Sequence, residues 1–88
     1  MILISSQIEI QIEQVFINLS CVLNAAGSSL GEILKLNVYL TNLENFSKVN
    51  EHMEKIFKKP YPARAAIGIK ELPKGALIEI DAIAAEKK

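Results

Sequence analysis

The sequence has no tryptophan, one cysteine, one histidine and three prolines, and its ten basic and ten acidic residues cancel. Each shortage removes a class of function. A lone cysteine, Cys21, cannot close an internal disulfide. Its place among Val15, Leu19 and Val22 predicts a buried thiol with no redox role. His52 has no second histidine or nearby cysteine to share a metal with, so no metal site is expected, and its position between Glu51 and Met53 predicts a solvated helix face. Adjacent lysines occur only at Lys58-Lys59 and Lys87-Lys88, so there is no basic stripe to hold a phosphate backbone, which argues against nucleic acid as a partner. No apolar run nears the roughly 20 residues of a membrane span. The opening "MILISSQIEI" lacks the basic flank and cleavage site of a signal peptide. The expectation is a protein of the cytoplasm, or of the mitochondrial matrix, with no membrane partner.

What is present is a single domain over residues 1–88 with half its residues hydrophobic. A domain of that size hides only about 60 to 65% of the surface its unfolded chain exposes, so its own core is thin. "ILISSQI", residues 2–8, mixes β-branched and short polar residues and predicts a strand. From Ile12 the positions Ile12, Val15, Phe16, Leu19, Val22, Leu23 and Ala26 keep the spacing of one helical face, and Gly27 marks its end. "SSLGE" then connects to "ILKLNVYL", where Leu34, Leu36, Val38 and Leu40 alternate against Ile33, Lys35, Asn37 and Tyr39 in the period of a strand.

Asn42 or Asn45 caps a second helix, whose face carries Phe46, Val49, Met53, Ile56 and Phe57 until Pro60 and Pro62. "ARAAIGIKEL" and "ALIEIDAIAA" flank the turn signal Pro73-Lys74-Gly75, which predicts a terminal β-hairpin. The order is β-α-β-α-β-β, an α+β fold with a mixed sheet and two helices on one face. In the last strand Ile78, Ile80 and Ala82 point to the helices, and Leu77, Glu79, Asp81 and Ile83 point away. A second sheet face that mixes aliphatics with carboxylates is best covered by another copy of the chain, which predicts a symmetric homo-oligomer.

Two charged residues stand out as candidates for chemistry. Arg64 sits alone among small apolar residues, and Glu79 lies on the open face. A hairpin centred on Pro73 sets Glu79 opposite Ile67 and offsets it from Arg64 by about three residues, roughly 10 Å. The two therefore do not form a cross-strand ion pair, but they would line one cleft if two subunits met. There the planar fork of an arginine suits a ligand carboxylate. The ordinary alternative is a solvated strand-end arginine and two polar strand positions.

The segments "NAAGSSLGEILKLNVYLTNLENFSKVNEHMEKIF" and "PARAAIGIKELPKGALIEIDAIA" closely resemble the Rid family, the YjgF-like reactive intermediate deaminases, over about Ile12 to Ala85. The resemblance implies a chorismate-mutase-like fold, a homotrimer with sheets facing the central axis, and inter-subunit clefts that hydrolyse 2-imino or enamine acids such as 2-aminoacrylate to 2-ketoacids and ammonia. It implies no cofactor. Carried over by motif, Arg64 of "PAR" binds the substrate carboxylate, Glu79 of "IEID" positions or activates water, and Asn50 of "VNEHM" lies near the pocket, with helix capping or packing as its alternative role. A regulatory homo-oligomer that binds small carboxylates without turnover, and a ribonuclease or translation inhibitor, are the competing readings. The family's first strand region, with its "GPYSQ"-like stretch and pocket tyrosine, has no counterpart here. "SSQ" replaces the family's "SGQ", the loop before the first helix is shortened, and Ala66 replaces a cysteine. The expected consequences are one pocket wall fewer and one sheet edge left open.

Overall fold

The computed structural model describes residues 7–59 and 61–86. Helix α1 spans Ile8–Ala25, strand β1 Ile33–Leu40, helix α2 Phe46–Ile56, strand β2 Ala63–Gly68 and strand β3 Ile78–Ala84. Most of the expected strand over residues 2–8 lies outside the described residues. Its last position does not: Ile8 is helical, so α1 begins a full turn before Ile12. The reason is periodicity, since Ile8 stands four residues before Ile12 and extends the same apolar face. That face buries Ile8, Ile12, Val15, Phe16 and Leu23.

α1 ends as its glycine predicts. Gly27 takes φ +80°, the Ser28 N–H donates to the Leu23 carbonyl at 2.8 Å, and the Gly27 N–H donates to the Asn24 carbonyl at 3.2 Å. These two bonds form a Schellman motif, which needs a residue without a Cβ in the left-handed region. The expected apolar stripe stops short, however. Val22 is 65% exposed, Ala26 is exposed and Cys21 is an exposed thiol, not a buried one. Cys21 stands two positions from Leu23, and that rotation of about 200° carries it to the helix's outer side.

Among the described residues β1 is the middle strand of three, in the order β2-β1-β3. It pairs parallel with β2, through Leu36↔Arg64 and Tyr39↔Ile67, and antiparallel with β3, through Leu36↔Ala82 and Tyr39↔Glu79. The mixed α+β sheet is as expected, but the hairpin is not, because β2 and β3 flank β1 and do not pair with each other. Pro73–Gly75 forms a 3-10 turn, with Lys74 at φ 59°, inside a longer crossing connection. The turn residues marked a turn correctly but could not say which strand follows it.

β1 supplies the centre of the core. Leu36, Val38 and Leu40 are fully buried, and with Ile78 they meet Phe16, Val49, Met53 and Phe57 from the two helices. Burying each such side chain is worth about 2 kcal/mol. A register irregularity between Ile33 and Lys35 breaks the expected alternation at the strand's start, so Ile33 is buried while Leu34 is 61% exposed. α1 is fastened alongside β3 at both ends. The Leu77 N–H donates to the buried Gln11 Oε1 at 2.8 Å, and the Ser28 hydroxyl donates to the Ala85 carbonyl at 2.6 Å. No described helix is long and apolar enough to cross a membrane.

His52 does not sit on a freely solvated face. Its ring lies 5.2 Å from that of Phe16 across the α1–α2 contact, and burial holds its imidazole below the usual value, with Glu13 and Lys55 opposing each other as smaller influences. The folded state therefore takes up this proton less readily than the unfolded chain. Its cost to stability is absent above the unfolded value of about 6.5, grows as pH falls through the lowered folded value, and is constant below it. The melting temperature is expected to fall from pH 7.5 to 5.5, and His52→Phe, which keeps the ring contact, is expected to flatten that dependence. An equal slope in the variant and the parent would refute this account.

Candidate functional site

The central strand sorts the candidate residues between two faces. Residues in register on neighbouring strands share a face. Arg64 is in register with the buried Leu36 and so lies on the helix side, whereas Glu79 is in register with Tyr39 and lies on the open side. The two are thus separated by β1 as well as by the offset along the strands, and within one chain they do not converge. The supposed pairing of Glu79 with Ile67 has a simple correction. The two occupy the same level of the sheet, one on each side of Tyr39.

Arg64 is exposed on β2, an outer strand of the described sheet, with its guanidinium carbon 5.3 Å from the centroid of Phe46, the first residue of α2. The ring face attracts the cation and holds its plane, but it leaves the in-plane N–H fork unsatisfied. Among the described residues no carboxylate pairs with it; the ion pair seen there joins Lys48 to Glu9 at 2.7 Å. Asn50 lies one turn beyond Phe46 on the same side of α2. Its Nδ2 donates to Glu54 at 3.3 Å, while its Oδ1 is buried with no hydrogen-bond partner. Among the described residues the Asn50 acceptor and the Arg64 guanidinium, each related to Phe46, are polar groups left without a protein partner. The small residues after Arg64 have a further use, since a Cβ on Gly68 would come within 3.0 Å of Leu43, which occupies that space from the turn before α2.

The open face holds a polar group that the sequence reading missed. Asp81 accepts hydrogen bonds from Asn37 Nδ2 at Oδ1 and from the Tyr39 hydroxyl at Oδ2, both at 2.8 Å. That bond to Asp81 is the main cause holding the Tyr39 hydroxyl above its ordinary range, with the charge of Glu79 a lesser one. Alternation placed Asn37 and Tyr39 together, but only the β1–β3 register brings Asp81 to them. Glu79 is exposed and its carboxylate has no partner among the described residues. A groove of about 520 Å³ runs between α1 and the outer edge of β3, lined by Val15, Leu19, Val22, Ile80 and Ala82, with Glu79 at its rim. It is apolar and lies across the sheet from Arg64. No group of three or more potential metal ligands occurs among the described residues.

Comparison with known proteins agrees with this architecture. The family model described as Endoribonuclease L-PSP matches residues 1–86. The chain is 33% identical over 81 residues to the 2-iminobutanoate/2-iminopropanoate deaminase of Dermatophagoides farinae, covering 92% of this chain and 63% of that protein. It is 42% identical over 85 residues to the putative regulator AldR of Lactococcus lactis, covering 97% and 68%. The crystal structure of RidA from the Antarctic bacterium Psychrobacter sp. PAMC 21119 superposes with a TM-score of 0.87 at 42% identity, over 91% of this chain and 65% of that one. The chain spans about two thirds of the length of these relatives.

Asn50 provides a test of this unpartnered acceptor. A buried acceptor without a partner costs about 1–3 kcal/mol, so Asn50→Leu is expected to leave the melting temperature unchanged or raise it. A clear loss of stability in thermal denaturation would show that Oδ1 is part of the fold's own hydrogen bonding.

Proposed function

We propose, from the premise that the chain belongs to the endoribonuclease L-PSP family with its Rid- and RutC-named members, that it hydrolyses 2-imino or enamine acids such as 2-aminoacrylate to 2-ketoacids and ammonia. The observation that carries this reading is the Arg64 guanidinium, steered by Phe46 and without a carboxylate partner among the described residues. Such a fork is complementary to the carboxylate common to imine substrate and ketoacid product. The relative named as a 2-iminobutanoate/2-iminopropanoate deaminase supports the same substrate class.

In this reading Arg64 holds the carboxylate, Asn50 offers its free acceptor to the imine or its nitrogen, and Glu79 holds the water. Water attacks the imine carbon as Glu79 takes one of its protons. The carboxyl passes that proton to the nitrogen to give the carbinolamine, then relays the hydroxyl proton to the same nitrogen as the C–N bond breaks, so that the ketone forms and ammonia leaves. One imine and one water become one ketoacid and one ammonia, with no redox change and no cofactor. Because Arg64 and Glu79 lie on opposite faces of one sheet, the reaction needs Glu79 from one subunit beside Arg64 from another. The proposed assembly is a homotrimer with the open sheet faces turned inward, where exposed Ile67 and Ile83 would be covered. The proposed compartment is the cytoplasm or the mitochondrial matrix.

A second reading is favoured by one observation: at 42% identity, one relative is named as a putative regulator. There the same Arg64 would bind a small carboxylate without turnover. The ribonuclease activity named in the family description finds no charge basis here, since the net charge is zero and no basic stripe exists.

The test is to generate a 2-imino acid enzymatically and follow ketoacid release with and without the protein. Acceleration is expected, and Arg64→Ala is expected to lower it by about a hundredfold, the size associated with losing a charged positioning contact. Absence of acceleration, or full activity in Arg64→Ala, would overturn the deaminase reading. Binding of 2-ketobutyrate without turnover would establish the regulatory one.

A further inference from the structure

We propose that Asp81 is a positioning residue for Glu79: by accepting the hydroxyl of Tyr39 and the amide of Asn37, it keeps both donors off the Glu79 carboxylate and leaves that carboxylate open to water. This rests on the reading that Glu79 holds the attacking water.

The register makes the competition explicit. Tyr39 is paired directly with Glu79, and Asn37 directly with Asp81. Directly paired side chains on an antiparallel ladder start about 4.5–5.5 Å apart, and diagonal ones about 7–8 Å apart. The carboxylate nearest to Tyr39 by backbone geometry is therefore that of Glu79. The hydroxyl nonetheless reaches diagonally to Asp81 Oδ2 at 2.8 Å. Asp81 holds the advantage because Asn37 fixes its other oxygen at 2.8 Å, and because aspartate has one rotor fewer to order than glutamate. Each Asp81 oxygen then carries one charge-assisted bond.

The consequence for Glu79 is chemical. A phenol donating to a carboxylate occupies a lone pair and stabilises the charged form, which makes the carboxylate a weaker base. With Asp81 taking both donors, Glu79 keeps its acceptor sites open to water. The raised titration of Tyr39, caused first by Asp81 and only slightly by Glu79, agrees with a hydroxyl that is bound to one carboxylate while standing in the field of the other. The other charged groups on or beside this face are Lys35, which is in register with Ile83, and Lys74 in the turn before β3. Neither has an ion pair with Glu79.

The test compares the intact protein with Asp81→Ala, Tyr39→Phe and the double variant, following the Glu79 side-chain carboxyl by carbon-13 NMR as pH is varied. Both substitutions are at the exposed or half-exposed face. In the presence of Asp81, Tyr39→Phe should leave the Glu79 midpoint unchanged. Asp81→Ala should lower it, both by removing a like charge and by freeing the Tyr39 hydroxyl. Adding Tyr39→Phe to Asp81→Ala should raise it again by about half a unit, a threefold change in proton affinity. Identical midpoints in Asp81→Ala and the double variant would overturn the proposal, as would a shift on Tyr39→Phe alone. In the imine assay kcat should fall in Asp81→Ala and recover in the double variant, with KM unchanged. Full turnover in Glu79→Gln would instead refute the role given to Glu79 in catalysis, and the titration would still decide what Asp81 does.

Discussion

The register of β1 against its two neighbours is the constraint on which the rest of this domain depends. A strand alternates its side chains with a period of two, so pairing on both sides copies the inward and outward choice of β1 onto β2 and β3. Leu36, Val38 and Leu40 commit one face to the helices, and that single commitment assigns Arg64 to the helix side and Glu79, Asp81 and Tyr39 to the open side. A slip of one residue on the β1–β3 ladder would turn Glu79 and Asp81 toward the helices and expose Ile78. Burial of a lone carboxylate or guanidinium costs far more than one aliphatic contact gains, so core and site specify the register together.

The same arrangement limits what one chain can do. Its core occupies one side of the described three-stranded sheet, and the other side carries Ile83, 61% exposed, among carboxylates and a tyrosine. The hydrogen bonds of Asp81 give that face local order, but exposed charge-assisted bonds add little to stability. Most of the folding energy comes from the helix side, where β1 and Ile78 meet both helices. The open face is therefore free to be shaped for binding and assembly without much cost to the fold.

How much of this was readable in the chain depends on the range of the interaction. α1, β1 and α2 were legible because periodicity is local, and the end of α1 was legible because Gly27 meets a local backbone demand. The turn at Pro73–Gly75 was legible for the same reason, but strand partnership is not local. The residues that favour a turn are the same whether the next strand returns beside the previous one or crosses to the far side of β1. That one ambiguity produced the false hairpin and concealed the Asn37–Tyr39–Asp81 group. Leu34 was misplaced by an irregularity that no alternation pattern shows, and Cys21 by its nearness in sequence to an apolar stripe from which the helix turns it away. Arg64, Glu79 and Asn50 stood out through their motifs; their separation by β1 required the register.

The position of Arg64 also bears on how strongly the proposed site would act. In an isolated chain the guanidinium is exposed, and its attraction to a carboxylate is screened by water to about 1 kcal/mol at 4 Å. Phe46 restrains the cation without neutralising it, which lowers the entropy lost on binding but does not remove the screening. A neighbouring subunit laid over this corner would exclude water and strengthen the attraction several-fold, while supplying the carboxylate that β1 keeps away within a single chain. Both needs, a lower dielectric at Arg64 and a water-holding group beside it, are met by the same contact. In the proposed enzyme, assembly would therefore act as part of the catalytic machinery.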